Sequence, residues 1–479
     1  MVSQRPVIVI GAGSAGAVIA SRLSEDSGLT VLLLEAGDDD MASSRDPRIA
    51  GINFLDALSV PGRTYQDVLV TRTSEQGVVP YAVGRGVGGS SAVNGLVGVW
   101  GHPEDYDSWE RDCGCMGWSW ARVGPVFKSL PISLYQVPPH SWGGADHLLA
   151  SAAEELDIPF LSDVSRTSMD GFGAAHLTIA AGRRDSVSDV YVNAARVRAN
   201  FTVRANAPVD RIVINGTTAS GVQLANGEVI EAQAVVLCAG AIHSPSVLHR
   251  SKVQLPGIGA GLSDHVSIAL TLALNEGLPG DTVISTLLRS SSSHSSGDIH
   301  VLPMNRASSD SAYAALSVAL MQVQSRGEVI TTKSDPTVSP TVNFNMLSAP
   351  FDMQRMREAL MLLFDLVGSF AVKSRTQGVY CDESGTPAES LLDMSESELG
   401  DWMRAHVGNY LHASGTCQMG SSSNGMAVVD SKGRVFGFDN LWVCDASIMP
   451  VLPRASTHLP VVMMAEVIAP QIAEEISPS

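Results

Sequence analysis

Basic residues are scarce in this chain: 31 Lys and Arg stand against 49 Asp and Glu, a formal charge of −18. A surface of that sign repels phosphate backbones and anionic lipid, so nucleic acid and membrane surfaces are not expected partners. Cysteine is sparse as well. The six, at positions 113, 115, 238, 381, 417 and 444, include no CxxC pair and no histidines at zinc-finger spacing. Neither a disulfide framework nor a metal site is expected from them. Long apolar runs are missing too. The opening MVSQRPVIVIGAG holds one basic residue and a nonpolar run of about five residues before glycines begin, far short of a signal segment or a membrane span. A cytoplasmic location is expected.

What the chain has is length, apolar content and glycine. With 479 residues, 45% of them hydrophobic, it can bury a large core built from more than one unit. Its 44 glycines exceed the usual share of about 7%. Many fall in segments where backbone must come close to a ligand. The apolar run PVIVI ends in Gly11-Ala12-Gly13-Ser14-Ala15-Gly16, and a helical pattern and a second apolar run, TVLLLEAG, follow. That order predicts strand, tight turn, helix and strand of a parallel sheet, with ligand at the carboxyl edge. In a GxGxxG turn Gly11 permits the bend, Gly13 admits a pyrophosphate and Gly16 packs helix on strand, while the helix N-terminus faces the phosphate charge. Glu35, about 20 residues on, stands where an acid accepts the ribose hydroxyls, with Ala36 beside it. The whole context marks a dinucleotide site without choosing between FAD and NAD.

Further strand-like islands, AQAVVLCAGAIHSP and DNLWVCDASIMP, lie far downstream. Between them, residues 270 to 400 alternate in runs such as VITTKSDPTVSPTVNFNM and include a helical stretch, MQRMREALMLLFDLVGSF. That texture predicts an antiparallel sheet backed by helices. The Ser-rich run 289 to 298 reads as an exposed loop. The expected fold is therefore α/β, with a discontinuous Rossmann-like nucleotide domain over 1–135, 165–268 and 405–479. A substrate domain is expected over 136–164 and 269–404.

A second glycine-rich segment, Gly84-Arg85-Gly86-Val87-Gly88-Gly89-Ser90-Ser91-Ala92-Val93-Asn94-Gly95, resembles the signature of the glucose-methanol-choline (GMC) oxidoreductases. The resemblance continues through His102 to Trp109, Gly117 to Trp120, Ala239 to Pro245, Leu411 to Gly420 and Val443 to Pro450. It covers essentially the whole chain, in family order, although such proteins are commonly longer and this chain looks shortened around 131–150 and 251–265. The resemblance implies FAD as cofactor. It places Ser14, Ala15, Arg85, Gly88, Gly89, Ser90, Asn94, Gly95, Leu96 and Val97 around the pyrophosphate and flavin ring, Val209 at the adenine, and Ala239, Asp445 and Ala446 at strand ends facing the cofactor. Some relatives attach FAD through a histidine immediately before the asparagine; Val93 stands there, so noncovalent FAD is expected.

The same resemblance puts His412, in LHASGTCQMG, at the catalytic histidine position and His458, in STHLP, at the second. A near-neutral imidazole can take a hydroxyl proton at physiological pH, and a second can donate to the developing alkoxide. His102, His243, His265 and His406 read as satisfied core residues, and Cys417 as packing. The implied activity is oxidation of a small primary or secondary alcohol, with hydride passing to flavin and electrons to O2. A dehydrogenase using a quinone or another carrier is the nearest alternative, and a hydroxynitrile-lyase-like enzyme with redox-silent FAD the more distant one. The region around His412 and the C-terminal segment look closest to bacterial members acting on aryl or furanic alcohols. No charged residue of the insert can be assigned to the pocket, so an uncharged substrate is expected.

Overall fold

A computed structural model of the chain describes residues 5–39, 45–276, 280–307, 313–331 and 334–477. Met1 to Gln4 of the opening segment and Thr332 and Lys333 of the alternating run lie outside the described residues. Five short strands form a wholly parallel sheet in the spatial order Phe201–Arg204, Val31–Leu34, Val7–Ile10, Ala234–Leu237, Leu441–Val443. By chain position that is 3-2-1-4-5, so the order reverses beside Val7–Ile10 and opens a crevice at the carboxyl ends. Val7–Ile10 and Ala234–Leu237 are buried along their whole length. This explains why they read as continuous apolar runs rather than alternating ones. The helix Gly16–Leu23 leaves the first strand through the glycine turn and packs against the C-terminal helix His458–Ile476.

The second body is a large antiparallel sheet. Its order is Thr376–Tyr380, Val266–Leu274, Ala314–Leu320, Ile299–Met304, Thr286–Ser290, Gly171–Ala174, with Gly408–Asn409 paired to the start of Val266–Leu274. The helix Pro350–Gly368, with proline at its first position, and the helix Gly144–Glu155 pack on its central strand Ala314–Leu320. The edge strand Gly171–Ala174 comes from the stretch that the sequence assigns to the nucleotide domain. A further sheet pairs Leu69–Thr71 from the N-terminal third with Thr341–Asn343 from the insert, so the two bodies interleave.

The Ser-rich run is the expected exposed loop in its middle, at Ser293, His294 and Ser296, and departs from it at both ends. Arg289 lies in the strand Thr286–Ser290 and, like Asp298, is fully buried. Asp298 accepts hydrogen bonds from Ser292 and pairs with Arg355 at 3.0 Å. Low hydrophobicity misled at the Asp298 end because its carboxylate is matched there by Ser292 and Arg355.

Candidate active site

One cavity of about 810 Å³ runs along the carboxyl edge of the parallel sheet and on beneath the large antiparallel sheet. Its size fits a cofactor together with a small substrate. Its lining includes Gly11, Gly13, Ser14, Ala15, Glu35, Ala36, Arg85, Gly89, Ser90, Asn94, Gly95, Leu96, Val97, Val209, Ala239, His412, Asp445, Ala446 and His458. Gly16 and Gly88 stand behind it. A Cβ on Gly16 would fall 1.8 Å from the Gly11 carbonyl oxygen, and Gly88, at φ +99°, donates its N–H to the Ala12 carbonyl. The two glycine-rich segments touch: a Cβ on Gly89 would lie 2.7 Å from Gly13 Cα.

A cradle of this kind suits a dinucleotide. The N–H groups of Ser14 and Ala15, at the start of the first helix, find no acceptor among the described residues and remain free for an anionic group. Glu35 holds the cradle's shape from within. Its carboxyl group accepts the N–H groups of Ala12, Gly37 and Gly86, each at 2.9 Å, which ties the glycine turn, the second strand's exit and the second glycine-rich segment to one buried side chain. Asp445 is occupied in the same way by Gly240 N–H, Ser244 Oγ and Ser447 N–H.

Asn94 has its amide oriented by a residue that the sequence reading passed over. Arg184 Nη1 donates to Asn94 Oδ1 at 2.6 Å, and also to the Asn94 and Ser91 carbonyls. Leu96 N–H donates to the same Oδ1. With two donors on Oδ1, the Asn94 NH2 is the end left for a ligand. Leu96 takes a left-handed φ of +67°, rare for leucine and a mark of a constrained site. Burial brings the Arg184 guanidinium down to about 9, and its Nε and Nη2 have no partner among the described residues.

His412 meets an imidazole, and it belongs to His265 rather than His458. The two Nδ1 atoms are 2.8 Å apart and the rings cross edge to face. His265 Nε2 lies 3.1 Å from the Pro453 carbonyl, which can only accept, so that nitrogen carries the proton. His265 Nδ1 is then the acceptor, His412 Nδ1–H the donor, and the lone pair of His412 sits on Nε2. That Nε2 has no protein partner among the described residues. Burial lowers His412 to about 3 and holds His265 well below its ordinary value, so both rings are neutral at pH 7. Asp264, the residue before His265, accepts His412 N–H at 2.8 Å, the Tyr81 hydroxyl and the Asn409 amide. Burial lifts its carboxyl to about 7. Tyr81 Oη in turn accepts Ala413 N–H, so the backbone carrying His412 is pinned on both sides.

His458 stands at the first turn of the C-terminal helix, its Nδ1 2.9 Å from Ser14 Oγ in the dinucleotide turn. Burial and the neighbouring Arg184 charge lower it to about 4. The adjacent Asp264-His265 pair, placed at the entry to a strand, is the sequence signal that could have pointed to the His412 support.

On the antiparallel sheet the cavity meets Ser267, Ala269, Leu302, Met304 and Ser317, with Ile284 beside them. Period-two alternation puts these sheet residues on one face. All six cysteines are free, Cys417 is fully buried, and no metal-binding cluster occurs among the described residues. No helix among the described residues is long and apolar enough to cross a membrane.

Two models of the GMC oxidoreductase family match residues 6–267 and 323–465. Among curated proteins the chain is 30% identical to an oxygen-dependent choline dehydrogenase of Ectopseudomonas mendocina, over 98% of this chain and 94% of that one. It is also 30% identical to a 5-(hydroxymethyl)furfural oxidase of Methylovorus, over 97% and 98%. Among solved structures, pyridoxine 4-oxidase from Mesorbium loti superposes with a TM-score of 0.86 at 26% identity, over 98% of this chain and 99% of that one. A fungal aryl-alcohol oxidase shares the fold, with a TM-score of 0.83 at 19% identity over 99% of this chain and all of that one.

Proposed function

The chain belongs to the GMC oxidoreductase family of FAD-binding, alcohol-oxidising flavoproteins, and from that premise we propose that His412 is the base in its oxidation of an alcohol to a carbonyl compound. FAD, when bound, supplies the hydride acceptor. The observation that carries the reading is the chain of hydrogen bonds from the Pro453 carbonyl through His265 to His412, which leaves the lone pair of a neutral imidazole on Nε2. His412 Nε2 takes the hydroxyl proton as the carbinol hydride departs, and the resulting imidazolium keeps its Nδ1–H on His265.

The residues toward the cofactor divide the remaining work. Gly11, Gly13, Ser14 and Ala15 bind the pyrophosphate through backbone N–H groups, Glu35 lies at the ribose, and Val209 lies at the adenine end beside Arg250. Asn94, Gly95, Leu96 and Val97 edge the flavin, with the Asn94 NH2 presented by Arg184. Tied to Ser14, His458 serves on the cofactor side of the substrate. Val93 offers no nucleophile, so FAD is held without a covalent bond. Dioxygen is the electron acceptor in this reading, and rapid reoxidation of the reduced enzyme by dissolved oxygen in stopped flow supports it, whereas very slow reoxidation assigns another carrier.

The test of the base is anaerobic addition of a panel of alcohols with absorbance followed in the flavin band. The parent protein bleaches. His412→Ala keeps its yellow colour and bleaches about 100- to 10,000-fold more slowly. A variant that bleaches as fast as the parent removes His412 from the role.

A further inference from the structure

Charge is distributed unevenly around the cavity. Its charged lining residues are Glu35, Asp67, Arg85, Arg250 and Asp445, and all belong to the cofactor half. Each already has a task in the fold. Glu35 and Asp445 hold backbone N–H groups, Arg85 donates to the Ala36 carbonyl, Arg250 pairs with Asp210, and Asp67 accepts Ser339 N–H. The sheet face opposite contributes no charged side chain among the described residues. Its register sets Ala269, Ser317 and Leu302 side by side across three neighbouring strands, Ser267 precedes Ala269 by two residues, and Met304 follows Leu302 by two. Small residues at the centre leave room over the cavity, and larger apolar ones bound it on one side.

Two hydroxyls interrupt this surface, and they differ. Ser267 Oγ donates to the Gly408 carbonyl at 3.3 Å, whereas Ser317 Oγ has no hydrogen-bond partner among the described residues although only 8% of the residue is exposed. A hydroxyl so placed on a binding wall gains by meeting a polar atom of whatever packs there.

Building on the reading of His412 as base, we propose that the substrate is an uncharged alcohol whose apolar body packs on Ala269, Leu302, Met304 and Ile284, and that Ser317 Oγ hydrogen-bonds a second polar atom remote from the carbinol. A quaternary ammonium or carboxylate substrate would be stripped of water on this face with no counter-charge to receive it. Asp264, the carboxylate behind His412, does not line the cavity and is engaged by three donors. The substrate class thus departs from the choline named for one relative.

The experiment uses the FAD-loaded protein and matched neutral alcohols: para-methoxybenzyl alcohol against para-ethylbenzyl alcohol, their meta isomers, and choline. Anaerobic flavin bleaching is expected with the benzyl alcohols and absent with choline at the same concentration and time. The methoxy member of the better-bound pair is favoured about three- to tenfold in kcat/KM, and Ser317→Ala erases that preference. Calorimetric titration with the methyl ethers of the same benzyl alcohols, which bind without reacting, reproduces the ratio and its loss. Choline bleaching as fast as the benzyl alcohols overturns the substrate class, and a preference that survives Ser317→Ala in both readouts overturns the role of Ser317. If the ethers show the Ser317-dependent preference yet no alcohol bleaches the flavin, the recognition surface stands and the alcohol-oxidation reading falls instead.

Discussion

At the scale of single residues, the support of His412 is the most informative feature. Many catalytic imidazoles lean on a carboxylate; here the nearest carboxylate, Asp264, takes the His412 backbone N–H and a neutral imidazole takes the ring N–H. A neutral partner fixes the tautomer without drawing a proton onto His412, which leaves the Nε2 lone pair free as the proposed role of base requires. Replacing His265 by Phe frees the His412 tautomer, and kcat/KM for a neutral alcohol is expected to fall about ten- to a hundredfold, the range found when a histidine loses its orienting partner. His265→Asn, which retains an acceptor oxygen, should recover part of the loss and shift the acid limb of the pH–rate profile. Equal losses in both variants with an unchanged profile would mark His265 as a packing residue only. His412 and His458 could be picked out from their motifs, yet the partner of each was not legible, because contacts across 147 and 444 residues leave no trace in local pattern.

At the scale of elements, the strand-turn-helix-strand at the N-terminus was legible because each part carries its own local cause: an apolar strand, glycines where the turn needs them and a helix of small residues. The meeting of that turn with the second glycine-rich segment was not. Gly89, at φ +51°, lies against Gly13, and a Cβ there would come within 2.7 Å of Gly13 Cα. Gly89→Ala must therefore push the two segments apart at the point proposed to hold the cofactor. The expected result is soluble protein that binds flavin at least about tenfold more weakly and loses it on gel filtration, since even a displacement costing ~1.4 kcal/mol lowers affinity that much. The ratio of flavin to protein absorbance after gel filtration checks it, and a full complement of FAD would show that the segments can separate without harm. The Ser-rich run shows the opposite limit of local reading. Its composition signals exposure, but at its end Arg355, on the helix Pro350–Gly368, pairs with Asp298 in a fully buried contact.

At the scale of the whole molecule, six buried or partly buried histidines are held in neutral form near pH 7. His102 and His412 fall to about 3, His243 and His458 to about 4, and His265 and His300 lie well below the usual value, burial being the first cause in every case. Their folded values lie below the unfolded 6.5, so the unfolded chain binds more protons as pH drops. Their contribution to stability is complete above about pH 6.5 and is lost as pH falls, reaching its end near pH 3 to 4 for His102, His243, His412 and His458. Asp264 acts with the other sign: its carboxyl is raised to about 7, so its contribution is full below the unfolded carboxylate value and fades as pH rises through 7. The histidines outnumber it even together with Asp105, Asp146 and Asp445, whose carboxyls burial also raises, and the midpoint of thermal unfolding is expected to fall from pH 6.5 to pH 4.5. A midpoint that stays level over that range would mean the rings are not held neutral.

By itself, the sequence determined the α/β class, the dinucleotide turn, the family and the absence of a basic surface, because each is written in contiguous residues or in composition. The tertiary structure alone decided which imidazole supports His412, that Arg184 presents Asn94, that Glu35 joins three loops, and that an uncharged sheet face with one free hydroxyl covers the substrate end of the cavity. Those features depend on strand register and on crossings between distant segments, and a hydrogen bond or an unpaired hydroxyl exists only once the chain has closed upon itself.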